Sequence, residues 1–314
     1  MTKIPMKTEC IGRFLVDLPK NVILSWTQNF DIAEVTRLIS VATPKDFWSV
    51  VEARKNILES LRHESELSQL GLYKIYDSNA AVLLYWDSPV WVGGYSMDRY
   101  FWTSVSAYKM TSRPRPNSIK DEIDRYTRIF TEIVPRDDIP SQPGFCIDGA
   151  IVVGDVGSID AGVSITIPGW RNVTLNLDSG DDNTQIAAVD PDFGPFGQLA
   201  REQMAIRETI ARYPEFKDDP VYPKEFVVLR KQMRTLAGRP GEEVVWRQKQ
   251  NNGAVLYKFL WFNSDPGGTP AKPGISIDMS VGNSDQPTIG PPPEQDLLSL
   301  WDAVLNSVRR RPGA

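Results

Sequence analysis

Nucleophilic catalysis and metal binding draw first on His and Cys, and this chain holds one histidine, His63, and two cysteines, Cys10 and Cys146. A Ser-His-Asp or Cys-His relay needs an imidazole held in a shaped pocket. His63 stands in the charged run RHESE (62–66), which reads as a solvated helix end. A structural zinc site wants about four Cys or His ligands, more than this chain can supply, so no metal and no cofactor is expected. Cys10 and Cys146 each precede the first apolar strand of one half of the chain. That placement leaves two readings open, a disulfide joining them or two buried thiols. Carboxylate pairs for hydrolytic acid-base work are always available among 40 acidic residues, so their number singles out none.

Two loops carry residue types suited to recognition. Asp178, Asp181, Asp182, Asp190 and Asp192 concentrate acidity between 178 and 192 without the regular spacing and closing Glu of a calcium loop. The segment therefore reads as a solvated loop or as a docking surface for a basic partner. Trp91, Val92 and Tyr95 sit where a hairpin tip is expected, and exposed aromatics on a tip mark a binding hot spot. The alternative is that Trp91 folds back onto its own sheet, since tryptophan is well buried on average. The glycine-rich stretch 149–162 leads into strands and lacks the Lys-Ser/Thr ending of a phosphate loop.

The elements that must position these groups come in two similar series. In the first half, extended segments at 13–17, 22–26 and 32–40 precede a helix that starts at TPKD (43–46), a near capping box with proline in the first turn. Strands at 72–76, 81–86 and 95–110 follow, then a helix whose apolar positions Ile119, Ile123, Tyr126, Phe130 and Ile133 keep a 3.6 period. The second half repeats the pattern: strands at 150–153, 162–167 and 173–177, a helix at 196–213, strands at 226–236, 243–250, 254–262 and 275–281, and a last helix after PPP (291–293). Arg309, Arg310 and Arg311 are read as closing that helix against its dipole. The expectation is an α+β protein of two similar domains, 1–138 and 139–314. Each is a mainly antiparallel sheet with two helices in the order β-β-α-β-β-β-α, joined by a proline-rich linker at 135–143.

Composition narrows the functions further. Lys and Arg number 35 against 40 Asp and Glu, a net charge of −5 that suits neither a phosphate backbone nor any nucleic-acid partner. No run approaches the ~20 apolar residues of a membrane span. The start, MTKIPMK, lacks the apolar block of a signal peptide, so a chain complete as given is expected in the cytoplasm and a trimmed one beyond it.

Four stretches together resemble a known family: CIGRFLVDLP (10–19), FCIDG (145–149), AGRPGEE (237–243), and LWDAVLNS (300–307) running through RPGA (311–314). They are similar to the immunity proteins that neutralise type VI secretion lipase effectors of the fourth phospholipase class. The resemblance implies a two-domain inhibitor, not an enzyme, that clamps an α/β-hydrolase-type phospholipase one-to-one and blocks its active site or lid, acting in the periplasm. An inhibitor needs a surface of about 1,600 Å² in all and no reactive group, which agrees with the shortage of His and Cys. Two other classes stay open: a periplasmic carbohydrate- or lipid-binding module, with aromatics lining a groove, and a hydrolase using two carboxylates of separated pKa.

Overall fold

A computed structural model describes residues 5–31, 33–64, 66, 68–90, 94–154, 157–181, 194–263, 269, 271–284 and 290–313. The chain divides into two compact units, a central one, Thr27–Ile159, and a terminal one made of Met1–Trp26 with Asp160–Pro312. This division differs from a single boundary after 138, because the first strands of the chain complete the unit that holds its end.

The central unit is built on strands ordered as the Thr27–Phe30 end of Ile23–Phe30, Ala33–Arg37, Ala107–Ser112, Tyr95–Trp102, Ala80–Trp86, Leu70–Asp77, with the pairs inside this unit antiparallel. Helix α1 (Pro44–Ser60) begins in a full capping box: Thr43 Oγ1 accepts from the Asp46 amide at 3.2 Å while the Asp46 carboxylate accepts from the Thr43 amide at 3.0 Å. Its Phe47, Val51 and Leu58 bury against Ala81, Leu83, Tyr100 and Ala107. Helix α2 (Ile119–Glu132) covers the opposite face through Ile123, against Val82, Leu84 and Met97. A sheet covered on both faces needs apolar residues at every position, which is why residues 80–84 are buried without alternation. The span 95–110, read as one strand, is two, Tyr95–Trp102 and Ala107–Ser112, turned by Thr103, whose hydroxyl accepts from the Ser106 amide at 3.0 Å. The proline-rich 135–143 lies inside this unit. It follows the strand Ile133–Pro135, and the Arg136 guanidinium donates to the Ile147 carbonyl.

The terminal unit repeats the plan strand for strand. Its sheet runs Ile159–Thr166, Val173–Gly180, Gly274–Val281, Val255–Asn263, Arg239–Gln250, Pro223–Leu236, again antiparallel. Helix α3 (Pro195–Arg212) and helix α4 (Glu294–Ser307) take the places of α1 and α2 in the order. Both units therefore read β-β-α-β-β-β-β-α; the strand beyond the expected order is the split of 95–110 in the first half, while the four segments read between the helices of the second half are all present. α4 supplies Leu297, Leu300, Trp301, Val304 and Leu305 to a core with Phe259, Trp261, Ile277 and Met279. The helix stops at Ser307, and Arg309–Arg310 forms a short strand against Phe14 and Leu15 rather than a basic last turn. Arg309 there meets Asp17 at 3.1 Å, so its charge has a carboxylate to answer.

Candidate functional site

The residues that could do chemistry are held in structural work. His63 is 4% exposed, not solvated as its charged neighbours suggest, because its ring stacks on Trp86 at 4.6 Å. Cys10 and Cys146 are fully buried, both are disulfide-bonded, and neither is a free thiol. The most deeply placed carboxylate is Glu243, in the strand Arg239–Gln250. It accepts from Arg230 at 2.6 Å, Gln232 at 2.7 Å, Arg234 at 3.2 Å and the Trp301 indole at 2.9 Å. Asp302 accepts from the same two arginines at 2.7 and 3.0 Å. Burial by itself would raise the Glu243 carboxyl, but its hydrogen bonds from Gln232, Arg230 and Trp301 outweigh that and hold it below the usual range. The Arg230 hydrogen bond does the same for Asp302. A carboxylate hydrolase needs one acid raised and one lowered, whereas here both are held ionised. This cluster fastens α4 to its sheet.

Surface features are more informative. α3 buries only Pro195 and Leu199; Leu199, with the partly buried Phe196, packs with Val244, Trp246 and Leu260, so the rest of the helix contributes little to a core. Met204 on it is 53% exposed, and Tyr213, Phe216 and Val221 beyond its end are also exposed. Pro223–Leu236 lies at the end of the strand order, paired only with Arg239–Gln250, and shows Val228 and Met233 to solvent. A groove of about 650 Å³ between helix and strand is lined by Ile206, Arg207, Ile210, Lys217, Tyr222 and Lys224. A second, of about 600 Å³, is lined in part by Arg201, Ala205, Trp246, Leu256 and Lys258. Neither brings together a histidine or cysteine, and among the described residues no group of three or more His, Cys, Asp or Glu could hold a metal.

Next to α3 the same sheet face is bare and polar. Asn176, Asp178, Ser276, Asp278, Ser280 and Lys258 alternate outward along three adjacent strands. Lys258 meets Asp278 at 3.0 Å. Asp178 is pushed up to about 6 by removal from water among its neighbours and by the nearby charges of Asp278 and Asp160. Asp181, by contrast, is 7% exposed and grips Arg13 through Nε at 2.8 Å and Nη2 at 2.5 Å. The structure therefore separates the two described members of the acidic loop. Asp178 lies on the open polar sheet face beside Asp278 and Asp160, and Asp181 is committed to an internal pair; Asp182, Asp190 and Asp192 lie outside the described residues. Of the aromatic tip, Trp91 and Val92 lie outside them too, while Tyr95 is half-buried with its ring 4.3 Å from Trp86. Sequence reading missed the α3 and edge-strand surface. Its signal is Met204, Tyr213, Phe216 and Val221 standing among charges without a helical stripe deep enough to bury them.

Among the described residues His63, both cysteines and Glu243 have internal partners, and the outstanding surface is an apolar helix and edge strand beside a polar sheet face. The sequence model of the family described as Tle cognate immunity protein 4, C-terminal domain, matches residues 138–313, more than half the chain, and the chain belongs to that family. Its fold is also that of solved structures across nearly its whole length. It resembles the immunity protein TplEi of the T6SS from Pseudomonas aeruginosa in its apo form, with a TM-score of 0.77, 21% identity and 98% of each chain covered. It resembles TplEi bound to an "L" peptide, with a TM-score of 0.72 and 20% identity over 98% of each. A chain of the Tle4–Tli4 complex gives a TM-score of 0.79 at 22% identity over the full length of both. No curated protein matches the chain significantly. Among the described residues no helix is long and apolar enough to cross a membrane.

Proposed function

We propose that this chain is an immunity protein that binds a secreted phospholipase of the α/β-hydrolase type one-to-one and inhibits it by covering its entrance, without catalysing a reaction itself. The observation that carries the reading is the family match over 138–313, joined to likeness along the entire chain to a structure solved as the Tle4–Tli4 complex. The site of action is the periplasm, where such a lipase meets its lipid. A lipase entrance is apolar because acyl chains must enter it, and an inhibitor that offers exposed Met, Tyr, Phe and Val beside fixed charges supplies both burial and orientation. Contact is made by the α3 and edge-strand surface, the Trp91–Val92 tip, and Asp178 with the remaining loop acids, which steer approach.

The direct test is to co-purify the chain with a candidate cognate secreted lipase and to follow phospholipid hydrolysis as the chain is titrated in. Inhibition complete near equal molarity is expected; hydrolysis unchanged at roughly tenfold molar excess over a nanomolar-affinity site rejects the reading. Trp91→Ala should weaken binding about tenfold with unchanged thermal stability. Tyr95 is left intact in that variant because its ring supports Trp86.

A further inference from the structure

Each repeat opens with a cysteine-bearing hairpin, and neither hairpin remains with the repeat it opens. Met6–Ile11 pairs with Phe14–Pro19 and belongs to the terminal unit, while the strands after it begin the central one. Phe145–Ile147 pairs with Ala150–Val152 and belongs to the central unit, while the strands after it begin the terminal sheet. Each hairpin adds to the short strand just after its host unit's last helix: Phe14 and Leu15 to Arg310 and Arg309, Ala150–Val152 to Ile133–Pro135. The two hairpins are built alike. In both, the first strand ends in Cys-Ile, a two-residue turn follows, and the second strand is apolar; one turn residue is a glycine at positive φ, Gly12 at 57° and Gly149 at 68°. A chain emerging unfolded thus holds two similar hairpins and two similar sheets to dock them on.

What differs is the sign of one ion pair. In the terminal unit the hairpin turn carries the cation: Arg13 clasps Asp181, the residue immediately after Val173–Gly180. In the central unit the turn carries the anion. Asp148 meets Arg37, the last residue of Ala33–Arg37, at 3.1 Å, while its amide donates to Gln28 and its carbonyl accepts from the Tyr108 hydroxyl. Ala33–Arg37 and Val173–Gly180 are each second in the strand order of their own unit, so each pair ties a hairpin turn to the end of the corresponding strand, with opposite polarity. Gly149 adapts its turn to this partner, since a Cβ there would stand 2.7 Å from the Arg37 guanidinium carbon.

We propose that this reversed polarity sorts the hairpins during folding. Docked on the wrong sheet, Arg13 would face Arg37 and Asp148 would face Asp181, each a like-charge contact beside a side chain that is largely buried, Arg13 in one and Asp181 in the other. Docked correctly, both turns are clasped. Positions that a shared shape would leave interchangeable are told apart by charge, as partner choice is elsewhere when attraction and repulsion are combined.

The test separates sorting from simple stabilisation. The double variant Arg13→Asp with Asp181→Arg keeps an ion pair in both units but gives both hairpins an acid and both sheets an arginine. Adding Arg37→Asp with Asp148→Arg restores opposite polarity everywhere. Each protein is refolded from the reduced, denatured state under oxidising conditions, and monomer without free thiol is separated from disulfide-linked species. The double variant should lose roughly tenfold in the ratio of native monomer to misassembled chains, a change of ~1.4 kcal/mol, and the quadruple variant should regain it. Refolding of the double variant at the wild-type ratio would mean that shape, such as Phe14 against Ala150, does the sorting. A quadruple variant no better than the double would mean that the pairs act only as local bonds. Either result overturns the proposal.

Discussion

Removing the Glu243 carboxylate should release α4 from the sheet of the terminal unit. Its oxygens are acceptors for Arg230, Gln232, Arg234 and the Trp301 indole, and its side chain is wholly buried. In Glu243→Ala two guanidiniums and an indole N–H lose their shared acceptor, and the arginines keep only the partly exposed Asp302 and, for Arg234, Asn306. Deleting one partner of a buried charged cluster costs roughly 3–5 kcal/mol, which should lower Tm by about 10 °C for a unit of this size. Glu243→Gln retains shape and one acceptor oxygen and should cost roughly 1–3 kcal/mol. Because the native carboxyl lies below the usual range, the unfolded chain takes up its proton at higher pH than the native one. The stability Glu243 supplies is therefore fully present above the ordinary carboxylate pKa and is lost as pH falls through the native value. The difference between wild type and Glu243→Gln should be level near neutrality and shrink below about pH 4.3. Urea unfolding followed by tryptophan fluorescence reads this directly, since Trp261 and Trp301 are both fully buried in the affected core. An alanine variant within about 1 kcal/mol of wild type, or a difference that does not shrink in acid, would refute the assignment of the cluster as the α4 anchor.

Three further outcomes can be checked on the free protein. Asp178, raised to about 6, is protonated in the folded chain over a range where the unfolded chain has already lost its proton, so stability should fall as pH rises through that value; Asp178→Asn should stabilise the protein at neutral pH, leave it unchanged in acid, and flatten the pH dependence of Tm, and a variant no more stable at neutral pH would contradict the shift. Gly241→Ala would set a Cβ 2.4 Å from the Trp261 ring and 2.5 Å from the Phe262 carbonyl, and should destabilise by roughly 2 kcal/mol or more in thermal melts. Denatured, unreduced protein should show no free thiol, as expected if Cys10 bonds to Cys146; cleaving such a bond opens a loop on the order of 100 residues and should cost about 5 kcal/mol in the chain-entropy account, with urea midpoints in and out of reductant as the measure.

Much of the plan could be read without coordinates, because repeating patterns are local. The capping box at Thr43, the apolar stripe of α2, the prolines before α4 and the apolar strands that follow Cys10 and Cys146 fix element types through spacing alone, and the shortage of His and Cys already turned attention from catalysis to binding. What only the tertiary structure decided rests on contacts between residues far apart in the chain. Nothing near Glu243 in sequence says that Trp301 will donate to it, nor does RHESE reveal that an aromatic ring will cover His63. The residues within the AGRPGEE and LWDAVLNS stretches meet as one buried cluster, so part of what makes those stretches recognisable is the anchoring of a helix. Unit membership was hidden for the same reason. A strand's neighbour is chosen by register and burial across the fold, so the opening hairpin could join the end of the chain while every local signal assigned it to the half it begins.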